Sequence, residues 1–227
     1  MILVLFDIDG TLLRTRGGSI RAMRRAAEQV FGTPGEFEKV RCAGKLDPEI
    51  ITEALRPCGI LPWGDALERF KVCYFEALRQ EVDHFRLVPG ADRLVQRLVD
   101  SRKALLGLAT GNFTESGFIK IEAVGLRPEW FVANAFGEEV STRSELVRLA
   151  IERAYRWTGA KPDRIVVVGD TPRDVGAAKA NGCLSVAVSA GGFSAEVLAQ
   201  SGADYCAESL EPTAELLEFI FDGHIRR

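Results

Sequence analysis

Five uninterrupted apolar residues at 2–6 (ILVLF) stop at Asp7-Ile8-Asp9-Gly10, and this opening constrains the fold more than any other stretch. A short apolar run without alternation reads as a strand buried on both faces, and the Asp-x-Asp-Gly ending reads as the turn that leaves it. Similar runs recur at 104–109 (ALLGLA), 131–135 (FVANA), 164–168 (RIVVV) and 184–188 (LSVAV). Segments with helical spacing lie among them at 91–102, 113–124, 143–157, 172–181 and 194–201. Strand and helix in alternation predict a doubly wound α/β fold, a parallel sheet covered on both faces.

Residues 15–84 break the alternation. They hold amphipathic segments at 20–31, 48–56 and 65–82 and no strand run, which predicts an inserted all-helical unit. The stretch from Arg14 to Gly18 marks the exit from the main domain and Pro89-Gly90 the return to it. The expected organisation is a core of residues 1–14 and 85–227 with a helical cap at 15–84.

Composition then narrows the function. A chain of 227 residues that is 47% hydrophobic buries a large core, and 29 basic against 32 acidic side chains leave a net charge of only -3. That balance offers no general attraction to nucleic acid or to an anionic membrane, so neither is expected as a partner. The opening apolar run is cut by Asp7 and is too short to span a bilayer or to direct secretion, which makes the cytoplasm the expected location. Cys42, Cys58, Cys73, Cys183 and Cys206 form an odd, scattered set without a C-x-x-C pair, so reduced thiols are expected. With only His84 and His224, neither a multi-histidine metal site nor a histidine-dependent triad has enough material. Carboxylates must carry the chemistry.

Functional groups of open parallel sheets gather at the carboxyl ends of the strands. Here the apolar runs are followed by Asp7, Asp9, Gly10 and Thr11, by Thr110, Gly111 and Asn112, and by Gly169, Asp170 and Asp174; Arg143 opens the helix at 143. Asp7 and Asp9, two residues apart in extended chain, lean to the same side. Two like charges in one site split their titration unless a cation intervenes, so that one carboxylate attacks while the other donates a proton. If Asp170 converges there too, three carboxylates make a hard-oxygen site suited to magnesium. Thr110 and Gly111 precede a helix start, where free N–H groups bind phosphate oxygens. Arg143 supplies a bidentate cation to those oxygens or to the carboxylates, and Asp174 holds either Arg143 or a metal-bound water. Trp63, Trp130, Trp157 and the phenylalanines are read as packing residues, and His84 and the cysteines receive no role.

The segments FDIDGTLL at 6–13, LATGN at 108–112 and VVVGDTPRD at 166–174 resemble, in order and spacing, the motifs of the haloacid dehalogenase superfamily. The resemblance covers the whole chain, and the helical insertion is similar to the cap of phosphoglycolate phosphatase-like members. It implies a Rossmann-like core and hydrolysis of a small phosphorylated metabolite, a phosphoglycolate-like compound or a sugar phosphate, with Mg2+ as cofactor. Asp7 is then nucleophile and metal ligand, and Asp9 is general acid/base with its backbone carbonyl on the metal. Thr110 binds phosphate, together with Gly111 and Asn112, and Asp170 is the third metal ligand. The cation of the third motif is usually lysine; here Arg143 is favoured over Lys120 because it opens a helix beside a strand end, where Thr142 and Glu145 form a capping box. The AGKLD segment at 43–47 resembles a substrate-facing cap loop, which makes Lys45 a candidate substrate contact. The alternatives are a phosphosugar mutase of the same superfamily and a receiver-like phosphoacceptor without turnover. Oligomeric state is left open.

Overall fold

A computed structural model describes residues 1–223; His224 lies outside them. Six strands form one sheet in the order β5-β4-β1-β6-β7-β8. They are β1 (Ile2–Phe6), β4 (Ala104–Thr110), β5 (Ala135–Phe136), β6 (Arg164–Gly169), β7 (Leu184–Val188) and β8 (Tyr205–Ala207), and every pairing is parallel. Numbered along the chain within this sheet, the order is the doubly wound, Rossmann-like 3-2-1-4-5-6. The winding reverses between β1 and β6, which opens a crevice at their carboxyl ends.

All five residues of β1 are buried, as expected for a central strand covered on both faces. Val4 and Phe6 join one apolar cluster with Leu94, Val95 and Leu98 of α4 (Ala91–Ser101) and Phe219 and Ile220 of α9 (Ala214–Asp222). Leu3 and Leu5 point to the other face, against Leu146 and Ala150 of α6 (Arg143–Thr158) and Ala177 of α7 (Pro172–Ala180). The remaining helices of this unit are α5 (Thr114–Ala123) and α8 (Ala195–Gln200).

Two short strands, β2 (Leu13–Arg14) and β3 (Arg86–Leu87), pair antiparallel and bring the two crossings of the chain side by side. Between them lie α1 (Gly18–Phe31), α2 (Asp47–Leu55) and α3 (Asp65–Arg79), called the cap below. Its interior is aromatic: Phe70 stacks on Phe31, Phe37 and Tyr74 at centroid distances of 6.1–6.4 Å. Phe113 and Ile119, from the segment after β4, complete this cluster. Cap and sheet unit therefore share an apolar interior along α5.

Three expectations need correction. The strand expected at 131–135 sits at Ala135–Phe136 instead, because Asn134 Oδ1 accepts the Leu108 N–H at 3.0 Å and a side chain takes the place of a backbone ladder bond. Two elements, β8 and α9, extend the fold beyond the last expected helix. Trp63 and Trp157 are about two-thirds exposed rather than packed. No disulfide links the five cysteines, and among the described residues no helix is long and apolar enough to cross a membrane.

Candidate active site

Parallel pairing in register places the end of β1 beside the end of β6, with Phe6 opposite Val168. The Asp7 N–H donates to the Val168 carbonyl at 2.9 Å, so the ladder runs on into the site and carries Asp7 to the side of Asp170. Ligand oxygens of Asp7, Asp170 and Asp174 lie within 4.8 Å of one another, and all three residues are buried. Gly10 forms the intervening turn at φ 82°, and a side chain there would run into the Asp170 carboxylate as well as strain the backbone.

Arg143 closes this cluster. Its Nη2 lies 2.8 Å from Asp7 Oδ1 and 2.6 Å from Asp174 Oδ1, and its Nε donates to Asp174 Oδ1 at 2.8 Å. The Thr142–Glu145 capping box is present, fixing the start of α6 and with it the position of the guanidinium. Asp174 is held from the other side, its Oδ2 accepting the Thr171 N–H and hydroxyl at 3.0 and 2.7 Å. Its contacts are thus those of an Arg143 holder, the first of the two roles left open by sequence.

Burial pushes the Asp170 carboxyl well above the ordinary carboxylate range, reinforced by Asp7 and Asp174 and opposed by Arg143. Asp7 moves in the same direction for the same leading reason, with Arg143 the strongest opposing influence. With all three acids ionised, one guanidinium would leave two negative charges unmatched in a buried, all-oxygen site, and a bound cation would offset them. Those residues fit a divalent cation of the hard type.

Asp9 faces different partners. Its Oδ2 accepts from Lys120 Nζ at 2.7 Å and from Asn112 Nδ2 at 2.8 Å. Lys120, only 2% exposed, also donates to Asn112 Oδ1. Burial opposes its charge, but Asp9, Tyr74 and Asp47 outweigh that and hold its pKa above the ordinary lysine value. Both candidate cations reach the site: the favoured Arg143 lies on Asp7 and its competitor Lys120 lies on Asp9. Lys120 reaches the site because a helical side chain slants toward the helix N-terminus, here back toward β4.

Thr110, expected to touch phosphate, is wholly buried behind the cavity wall; its Oγ1 accepts from Asn112 Nδ2 at 2.7 Å and so orients that amide. Gly111 and Asn112 do form wall, with Asp7, Asp9, Lys120, Arg143 and Asp170, around a cavity of about 270 Å³. The cap supplies its roof from Ser19, Ile20, Met23 and Lys45, and Lys45 pairs with Glu53 at the rim. A Cβ at Gly111 would collide with the Lys45 carbonyl oxygen. Gly111→Ala is therefore expected to displace the cap loop and destabilise the protein by about 1–3 kcal/mol, the usual cost of overpacking, read from denaturant melts.

Sequence reasoning missed Asp47, although it lies within the quoted AGKLD segment. It is 5% exposed, and its Oδ2 accepts the Phe113 N–H at 3.0 Å and the Ser116 hydroxyl at 3.3 Å. Burial raises its pKa to about 6, against the opposing pull of Lys120 and the Phe113 N–H. Only the pairing of an acid with a helix start marked it in sequence.

The strand order and the acids at the switch point define a Rossmann-like α/β protein with its functional groups on the ends of β1 and β6. A sequence profile of haloacid dehalogenase-like hydrolases matches residues 2–182, and the chain belongs to that family. It is similar to a phosphoglycolate phosphatase of Synechococcus elongatus, 28% identical over 219 residues covering 96% of each chain. It is also similar to a phosphorylated carbohydrates phosphatase of Thermotoga maritima, 29% identical over 79% of this chain and 81% of that relative. Among solved structures, a hydrolase from Pseudomonas syringae superposes with a TM-score of 0.68 at 21% identity, covering 98% of this chain and 99% of the other.

Proposed function

We propose that this chain is a magnesium-dependent phosphatase that hydrolyses a small phosphomonoester through an aspartyl phosphate on Asp7. One observation carries the reading: two aspartates two residues apart open on one cavity with separate cationic partners, Asp7 on Arg143 and Asp9 on Lys120. That division suits Asp7 to attack and Asp9 to move protons.

In the first step a carboxylate oxygen of Asp7 forms a bond to phosphorus as the ester P–O bond breaks, and Asp9 gives its proton to the departing alcohol. In the second, water attacks the same phosphorus while Asp9 takes its proton. The Asp7–phosphorus bond then breaks, releasing inorganic phosphate and restoring the Asp7 carboxylate and the protonated Asp9. Arg143 keeps Asp7 oriented throughout, and Lys120 with Asn112 keeps Asp9 turned toward the leaving oxygen. Gly111 and Asn112 offer the wall against which the phosphoryl oxygens rest, and Thr110 holds the Asn112 amide in place. Asp7 and Asp170, with the Asp9 backbone carbonyl, would hold magnesium, which supplies charge neutralisation for the phosphate dianion when bound.

The cavity volume of about 270 Å³ suits a metabolite of a few carbons, such as phosphoglycolate or a small sugar phosphate. Lys39, Arg41, Lys45 and Arg173 line the adjoining opening together with Glu53, and Lys39, Lys45 and Arg173 are ion-paired there with Glu36, Glu53 and Glu49. A panel of phosphorylated metabolites assayed with magnesium should give turnover that a chelator removes and added magnesium restores. Turnover that survives exhaustive chelation would overturn the metal dependence.

A further inference from the structure

The cap does more than roof the cavity, because it grips the chain immediately after the Gly111-Asn112 wall. Asp47 does so at two points. Its N–H donates to the Gly111 carbonyl at 2.7 Å, and its carboxylate accepts the Phe113 N–H at 3.0 Å and the Ser116 hydroxyl at 3.3 Å. The first turn of α5 has no side-chain cap of its own, since its N-cap residue is Phe113, and the acid comes from 66 residues away. The Phe113 ring then inserts into the cap interior, 6.4 Å from Tyr74 and 6.1 Å from Phe75. Residues 111–113 are thus held from the cap by backbone, carboxylate and ring together. The sheet unit holds the same stretch through the Gly137 N–H, which donates to the Asn112 carbonyl at 2.8 Å, and through Glu138 Oε1, which accepts the Thr114 N–H at 2.9 Å.

We infer that Asp47 is a positioning residue for the phosphoryl site: it braces residues 111–113 from the cap, so that the set of bonds holding the wall which receives the phosphoryl group is complete only with the cap docked. This rests on the phosphatase reading for its consequence in catalysis, while the brace itself is a structural statement. Asp47 also borders the cavity, so a direct contact with the leaving group is the competing role, and the probes must separate the two.

The variants are Asp47→Ala, which removes the acceptor, and Asp47→Asn, which keeps an oxygen for the Phe113 N–H; the Asp47 N–H remains in both. Amide exchange, inhibition by orthovanadate and turnover of the best substrate are measured on the full chain. Vanadate mimics the phosphoryl group and carries no leaving alcohol. Losing the acceptor strands a buried N–H, so for Asp47→Ala exchange of the 110–116 segment should quicken about tenfold or more, with β6 and β7 unchanged. The vanadate inhibition constant should rise and kcat/KM should fall by a similar factor, and Asp47→Asn should stay within about threefold of wild type.

A normal vanadate constant in Asp47→Ala with only KM raised would overturn the inference in favour of leaving-group contact. A lowered melting temperature with unchanged vanadate affinity and turnover would overturn it in favour of a merely structural role. Should Asp47→Ala not fold, Asp47→Asn with Ser116→Ala repeats the exchange comparison with the hydroxyl that donates to residue 47 removed, and unchanged exchange there counts against the brace. Absence of turnover and vanadate binding in the wild type would sink the phosphatase reading alone, with exchange still deciding whether the brace exists.

Discussion

Asp7→Asn is expected to lower kcat by at least about 10³-fold while leaving the fold intact, since covalent catalysis does not survive loss of its nucleophile. The amide matches the carboxylate in shape and still accepts from Arg143, whose Nη2 lies 2.8 Å away, so the melting temperature should move little. One acid fewer also relieves the repulsion that helps push up the Asp170 pKa. Steady-state turnover and a single thermal melt decide the matter. Retention of more than about a tenth of wild-type activity would remove Asp7 from the nucleophile's role.

Lys120→Met is expected to have the second largest effect, a fall in kcat of about 10²-fold, because Asp9 loses the cation that turns it toward the leaving oxygen. Methionine preserves most of the buried stem, so the change isolates the charge. Breaking a fully buried pair costs about 3–5 kcal/mol, but the Asp9 side chain is 41% exposed, which places the stability loss nearer about 2–3 kcal/mol. A kcat within about threefold of wild type would show that Asn112 alone orients Asp9.

The parts of the fold written in short-range pattern were legible. The run at 2–6, ending at Asp7, reads as a strand because nothing polar interrupts it, and β1 occupies those residues. The run at 131–135 misleads because Asn134, which looks like a strand breaker or a chance polar residue, pairs with the neighbouring strand through its side chain. β8 has only three half-buried residues and carries no run to find. In the site, Asp7, Asp9 and Asp170 were named from strand ends, and chain topology is what brings Asp7 and Asp170 together. Lys120 ranked below Arg143 because helix position says nothing of how far back a long side chain reaches. Asp47 was passed over because its partners, Phe113 and Ser116, are far off in sequence and their adjacency belongs to packing alone.

The shared interior along α5 bears on how such enzymes diversify. A chimera that exchanges only the residues between β2 and β3 would leave Phe113 and Ile119 of this chain buried in a foreign lining shaped for other side chains. Grafts that also carry residues 113–119 should express as folded protein where the shorter graft does not. Divergence in what the roof recognises is therefore tied to the stretch following the second motif, so substitutions in the two segments should be inherited as a block.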